Sequence, residues 1–221
     1  MSQISIANNA LMRIGVTRFI ESLAEPTIEA QVISRVYDTV RRAQLRRLEW
    51  SFAKQIKKLA LTQYTQKPWQ YVYRYPNDAL RVMRLTDQPE YGYTTDSHDQ
   101  QLLVGGQQWV NSSYLVDLEG PRIPYESLVI NGQKVICTNL ALASAVVIDD
   151  VTDTNLFDPL FEELLTWELA KEICTPLAVS SKFAEFAHGQ ADIAFDKAMA
   201  ATLDEQAPSA PDVPSFIKAR Q

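Results

Sequence analysis

Apolar residues recur at every fourth position through Ile28, Val32, Val36 and Val40, with Ile33 and Tyr37 beside them, and this spacing predicts a helix with one apolar stripe. Its start is legible. Pro26 suits a first turn, Thr27 is a candidate N-cap, and Glu25 and Glu29 put negative charge at the positive end of the helix dipole. Its far end is basic, with Arg41, Arg42, Arg46 and Arg47 on the last turns. Leu48, Trp50, Phe52 and Ala53 then form a bulky apolar group ahead of Lys54, Lys57 and Lys58. Upstream, Ser2 or Ser5 can cap a short helix whose apolar face is Ile4, Ala7, Ala10, Leu11 and Ile14, and Gly15 is placed to end it. Residues 16–24 read as a connector in which Ile20 and Leu23 can staple the two helices together. That connector is longer than the tight turn of a helix-turn-helix DNA reader, so structural packing is the expected role of the pair.

From Tyr64 the pattern changes period. Trp69, Tyr71, Tyr73 and Tyr75 alternate as in a strand, Pro76-Asn77-Asp78 supplies a turn, and 80–85 continues as a second strand. Leu102, Leu103 and Val104 run into Gly105-Gly106, a hairpin candidate. Leu128-Val129-Ile130 and Val135-Ile136-Cys137 flank Asn131-Gly132, the strongest short hairpin signal in the chain. The apolar run 140–148 fits a buried strand or a short helix. Helical signals then return. Asp158-Pro159 with Glu162 and Glu163 opens a helix that Pro176 stops, and Ser180 or Ser181 caps another running to about Asp204. Phe183, Phe186, Ala187, Ile193, Ala194, Ala198 and Met199 are the packing side expected of that last helix. The rest carries several prolines and few apolar residues, and reads as a tail.

The fold expected from this order is α+β: a helical bundle from the N- and C-terminal segments, with an inserted antiparallel β subdomain and an extended C-terminal tail. In residues, the discontinuous helical domain is 1–64 with 155–206, the β subdomain is 65–154, and the C-terminal arm is 207–221.

Composition narrows the function classes. At 221 residues, 46% hydrophobic and 22% charged, the chain is that of an ordinary globular protein with a sizeable core. A net charge of −6 argues against a chain-wide affinity for nucleic acid, so any basic patch must be local. Cys137 and Cys174 are too few for a disulfide framework or thiolate metal site and are expected to be buried free thiols. No signal peptide and no membrane-spanning segment are expected, because the N-terminus lacks a basic region followed by a long apolar core. His98 and His188 stand in different contexts and give little for a metal cluster or a Ser-His-Asp arrangement. Gly105-Gly106 lacks the Gly-Lys-Ser/Thr of a phosphate loop. An enzyme is therefore not expected, nor a cofactor or metal site.

The basic run is the one candidate site. A solvated helix face is its plain reading, and contact with DNA phosphates or an acidic protein surface is the functional one. Trp50 and Phe52 beside it favour an anchored protein interface, so Arg41, Arg42, Arg46, Arg47, Trp50 and Phe52 are the candidate partner-interface residues. Phe216 and Ile217, the apolar pair in the tail, are candidates for an arm that orders on a partner.

The succession Ala10-Leu11-x-x-Ile14-Gly15, Ile20-x-x-Leu23 with Glu25 and Ala30, Tyr37-x-x-x-Arg41-x-x-x-Leu45, and Trp50-x-Phe52-Ala53 resembles the tail tubular protein A family, the head-to-tail adaptors of short-tailed bacteriophages of the T7 type. Trp69-Gln70-Tyr71-x-Tyr73-x-Tyr75-Pro76-x-Asp78-x-Leu80-Arg81-Val82 is similar to the family's first β segment. Asp150-Val151-Thr152-Asp153, Phe157-Asp158-Pro159-Leu160-Phe161 and Trp167-Glu168-Leu169-Ala170 resemble its return to the helical domain. The resemblance implies a structural virion protein at the head-tail junction, assembled in the host cytoplasm. It implies a self-associated ring, commonly a dodecamer, between the portal protein and a tail nozzle of the tail tubular protein B type. Genomic DNA would pass through the lumen without sequence-specific binding, and an acidic wall would let it slide. Residues 88–108 carry no motif of the family. The competing expectation is a DNA-binding regulatory protein using a basic helix over 35–58.

Overall fold

A computed structural model describes residues 2–86 and 123–204. The Gly105-Gly106 hairpin, the 88–108 region, His98 and the arm with Phe216 and Ile217 lie outside them. Among the described residues the elements run α1 (Gln3–Arg13), α2 (Ile28–Arg47), β1 (Lys54–Lys58), β2 (Tyr71–Arg74), β3 (Ala79–Thr86), β4 (Tyr125–Ile130), β5 (Gln133–Thr138), β6 (Ser144–Asp149), α3 (Pro159–Cys174) and α4 (Ser181–Asp204). The chain is α+β, with two small antiparallel three-stranded sheets ordered β1-β6-β3 and β2-β5-β4. The 140–148 run thus contains a strand.

Local chemistry explains where the elements begin. The Ser2 hydroxyl accepts from the Ser5 amide, Thr27 from the Ala30 amide and Asp158 from the Leu160 amide, each satisfying an amide that the first turn of a helix leaves open. Gly15, at φ +79°, takes the left-handed conformation after α1. Asn131 and Gly132, at φ 50° and 78°, form the two-residue turn that pairs Ile130 with Gln133 and sets the β4–β5 register.

Two compact units divide the chain. Unit 1 comprises Met1–Gln55, Pro76–Met83 and Val146–Ala207, and unit 2 comprises Ile56–Tyr75, Arg84–Ala145 and Pro208–Gln221. These bounds differ from 64/65 and 154/155. Leu80, Met83, Ile148 and Val151 belong to the core of unit 1, so the turn after Pro76 and the end of β6 go with the helices.

In unit 1, α3 packs against α1, α2 and α4. It is buried almost all round, from Phe161 through Leu164, Leu165, Leu169 and Ala170 to Ile173, which is what a helix surrounded by others requires. Two expected packing faces are corrected. On α2 the buried positions are Ala30, Ile33, Tyr37, Val40, Arg41, Gln44 and Leu45, while Ile28 is 67% exposed and Val32 and Val36 are half-buried. A strict spacing of four drifts around a 3.6-residue helix, and the burial follows the true period. On α4 the buried residues are Ala187, Ala191, Ala194 and Ala198, and Phe183, Phe186, Ile193 and Met199 are exposed. Small side chains let two helix backbones approach closely, and that contact took precedence over burying the large ones.

The connector after α1 is held by a side chain the pattern did not reveal. Asn8 donates to the Ile20 carbonyl and accepts from the Ile20 amide, both at 2.9 Å, which docks Ile20 into the core. In unit 2, Val72, Val135 and Cys137 form a small core, with Tyr64, Trp69, Leu128 and Ile130 packed on it. Cys137 and Cys174 are both free and buried, and burial pushes each thiol above its ordinary pKa.

Candidate functional site

The basic end of α2 is where the sequence placed its interface, and the structure gives most of those residues work inside unit 1. Arg41 is buried. Its guanidinium donates to the Asp150 carboxylate at 2.6 Å and to the Val151 carbonyl at 2.5 Å, and lies 3.5 Å from Asp38. Arg42 reaches the other oxygen of Asp150 at 3.1 Å, so one carboxylate holds two arginines. Arg46 donates to the Leu80 carbonyl at 2.6 Å. Arg47 is 3.3 Å from the buried carboxylate of Glu168, which Lys171 also pairs, and its guanidinium stacks 3.5 Å from the centre of the Phe195 ring.

Trp50 is corrected more sharply. It is 3% exposed and cannot anchor a partner. Its ring meets Phe161 edge-on at 5.0 Å between centroids, in an aromatic cluster that Phe52 and Phe157 complete. Its indole N–H donates to the Gln44 carbonyl at 3.0 Å, and Arg81 donates to the Arg46 carbonyl at 3.4 Å. Both carbonyls are among the last four of α2, which have no partner within the helix, so the Trp-x-Phe-Ala group closes α2 and locks it onto α3. Phe52 is half-buried in the same cluster.

The helix itself ends at Arg47, and Lys54 to Lys58 form strand β1. A continuous basic helix over 35–58 is therefore absent. Lys54 and Arg81 share Glu49, at 3.5 and 3.0 Å. The acidic partners that neutralise this end come from far along the chain, chiefly Asp150 and Glu168. Local charge counting over 35–58 finds only Asp38 and Glu49, which is why the run looked unbalanced. The Asp149-Asp150 pair and Glu168, a carboxylate on the apolar face of its helix, were the available signals.

An open groove of about 370 Å³ runs beside the site, with Val36, Val40 and Gln44 on one wall and Glu168, Lys171 and Glu172 on the other. The ion pairs of Glu168 occupy its polar side, leaving a neutral, partly apolar trough. Among the described residues no group of three His, Cys, Asp or Glu side chains is placed to hold a metal ion.

What this arrangement does chemically is hold α2, the turn at Leu80, the end of β6 and α3 in one piece by charge-assisted bonds. Comparison with models of known protein families and with characterised proteins finds no match for the chain.

Proposed function

We propose that this chain is a structural subunit of a short-tailed bacteriophage virion, a head-to-tail adaptor whose copies form a ring between the portal and the tail nozzle. The ordered resemblance from Ala10 to Ala170 suggests it. The observation that carries it over its rival is the internal use of the arginines: Arg41, Arg42 and Arg47 are ion-paired to Asp150 and Glu168 within unit 1. A duplex-binding surface needs cations left over for phosphates, and these are committed to holding a scaffold together.

In this reading the helices of unit 1 form a bundle on the portal side, the β unit faces the tail, the residues after 206 are an extended arm, and DNA slides past an acidic lumen. The chain would act through surfaces and carry no catalytic residue. Arg41 and Trp50 leave the set of docking residues; Arg46, exposed beside Leu80, remains.

The test is the mass, by light scattering after size exclusion, of the protein mixed with the portal protein encoded in the same genome. A discrete complex of one adaptor ring per portal is expected. Separate elution at several salt concentrations, together with affinity for duplex DNA that falls steeply with salt, would replace the adaptor reading with the DNA-binding one.

A further inference from the structure

Among the described residues, the non-glycine positions with a positive φ are Asn131 at 50°, Ala178 at 51° and Leu142 at 55°. The first two suit it. Asparagine enters the left-handed region more readily than most residues, and Ala178 stands just past α3, where helices commonly end in that conformation. Leu142 does not suit it. Left-handed backbone crowds Cβ against the following carbonyl oxygen, a leucine has no polar group to relieve this locally, and a turn with positive φ ordinarily carries glycine or asparagine there. Burial does not offset the strain either, because the Leu142 side chain is 79% exposed, more than any other large apolar residue described.

The turn that carries it, between β5 and β6, is held by other groups. The hydroxyl of the buried Tyr73 donates to the Leu140 carbonyl at 2.9 Å and accepts from the Ala143 amide at 3.4 Å, so one phenol bridges both ends of the turn from inside. The Asn139 side chain accepts from the Gln70 amide at 3.0 Å, the Thr138 hydroxyl from the Leu140 amide at 3.3 Å, and the Ala143 carbonyl from the Leu59 amide at 3.0 Å. All these residues belong to unit 2. The neighbours thus impose a backbone that disfavours leucine, and the leucine returns almost no packing to the fold.

We propose that Leu142 is an anchor for a protein partner: the turn over 139–143 holds it outward, ready to enter an apolar pocket on the tail nozzle protein. The identity of the partner rests on the adaptor reading, in which the β unit faces the tail; the role of Leu142 as an outward anchor rests on its strain and exposure. A preset turn has little freedom left to lose on binding, and burying one exposed leucine accounts for a factor of ten or more in affinity, about what a single anchor supplies. One leucine buries too little area to hold a lipid surface, and a net charge of −6 repels anionic lipid, so the chemistry that fits is a protein pocket. Strain kept at the surface for binding trades stability for function.

The experiment compares the parent chain with Leu142→Asn and Leu142→Met. Asparagine tolerates the left-handed backbone, so it keeps the turn and removes the apolar side chain, whereas methionine keeps an apolar side chain of similar size. Two quantities are measured for each: the urea midpoint of the protein alone, and its affinity for the tail nozzle protein encoded in the same genome, by interferometry. Leu142→Asn is expected to unfold at higher urea than the parent while binding the nozzle at least about tenfold more weakly, and Leu142→Met to match the parent in both. A side chain that merely packed on its own fold would give the reverse, a lower midpoint with binding unchanged. The proposal is overturned if Leu142→Asn binds like the parent, if it gains no stability, or if the parent does not bind the nozzle. A parent that binds portal rings but not the nozzle would keep the adaptor reading and remove this anchor; one that binds the nozzle through Leu142 but no portal would keep the anchor and remove the placement between the two.

Discussion

Tyr37 is a large phenol placed where nothing answers its hydroxyl. The side chain is 3% exposed, and the hydroxyl makes no hydrogen bond among the described residues. Burial pushes its pKa from 10.0 up to about 12, with Arg41 pulling the other way. The unfolded chain thus releases this proton at lower pH than the folded chain. Tyr37 leaves stability untouched below pH 10 and removes it progressively as pH rises from 10 towards 12, by up to about 3 kcal/mol. Tyr37→Phe should keep or slightly raise stability at neutral pH, since it deletes an unanswered hydroxyl, and should flatten that alkaline loss; urea unfolding at pH 8 and pH 11 reads both. Arg41 predicts the opposite behaviour. Arg41→Ala leaves the Asp150 carboxylate to Arg42 alone and the Val151 carbonyl without its donor, and should cost roughly 1–3 kcal/mol in the same assay. Single-residue roles of this kind were hidden in the sequence. The bond from Asn8 to Ile20 and the pairing of Arg41 with Asp150 join residues 12 and 109 apart, and neither leaves a local pattern.

Elements were legible where a few adjacent residues decide them. Thr27, Asp158 and the Asn131-Gly132 turn act through bonds and dihedrals that span no more than three or four residues, so their chemistry is written beside them. The phase of a helix is another matter, because its partner chooses which side to bury. On α4 the large side chains outweighed the alanines in any reading of hydrophobicity, yet the alanines face α3. Two substitutions measure this directly. Ala194→Leu should lower stability by about 1–3 kcal/mol, as an inserted side chain forces the close helix contact apart, whereas Leu203→Ser should stay within about 0.5 kcal/mol. Thermal unfolding in dilute solution separates the two. The Trp-x-Phe-Ala group was visible as a bulky cluster, but its direction was not. A tryptophan following a helix serves an interface or a helix end equally well, and the free Gln44 carbonyl decided for the latter.

At the scale of the molecule the α+β class and the order of helical and β segments were read from the change of period alone. The borders were not, because Pro76–Met83 sits within the β stretch of the sequence but packs with the helices. Arginines that looked like surplus are matched within unit 1, so reversing Arg42 and Arg47 to Glu would set carboxylates against Asp150 and Glu168. Arg42 and Arg47 are themselves about half exposed, so that double variant should lose roughly 1–2 kcal/mol, and its unfolding followed by circular dichroism must be compared with the parent before any loss of partner binding is interpreted.

The central place of α3 also dictates a timetable. Helices α1 and α2 bury their apolar faces against a helix that begins on the order of a hundred residues after α2 ends, so a ribosome adding about 5–20 residues per second leaves them waiting roughly 5–20 s. During that interval the nascent chain displays Ile6, Leu11, Ile33 and Leu45 with no template to receive them. Its yield in a cell therefore depends on how quickly translation runs from Arg47 to Cys174, and on what shields those side chains until it gets there.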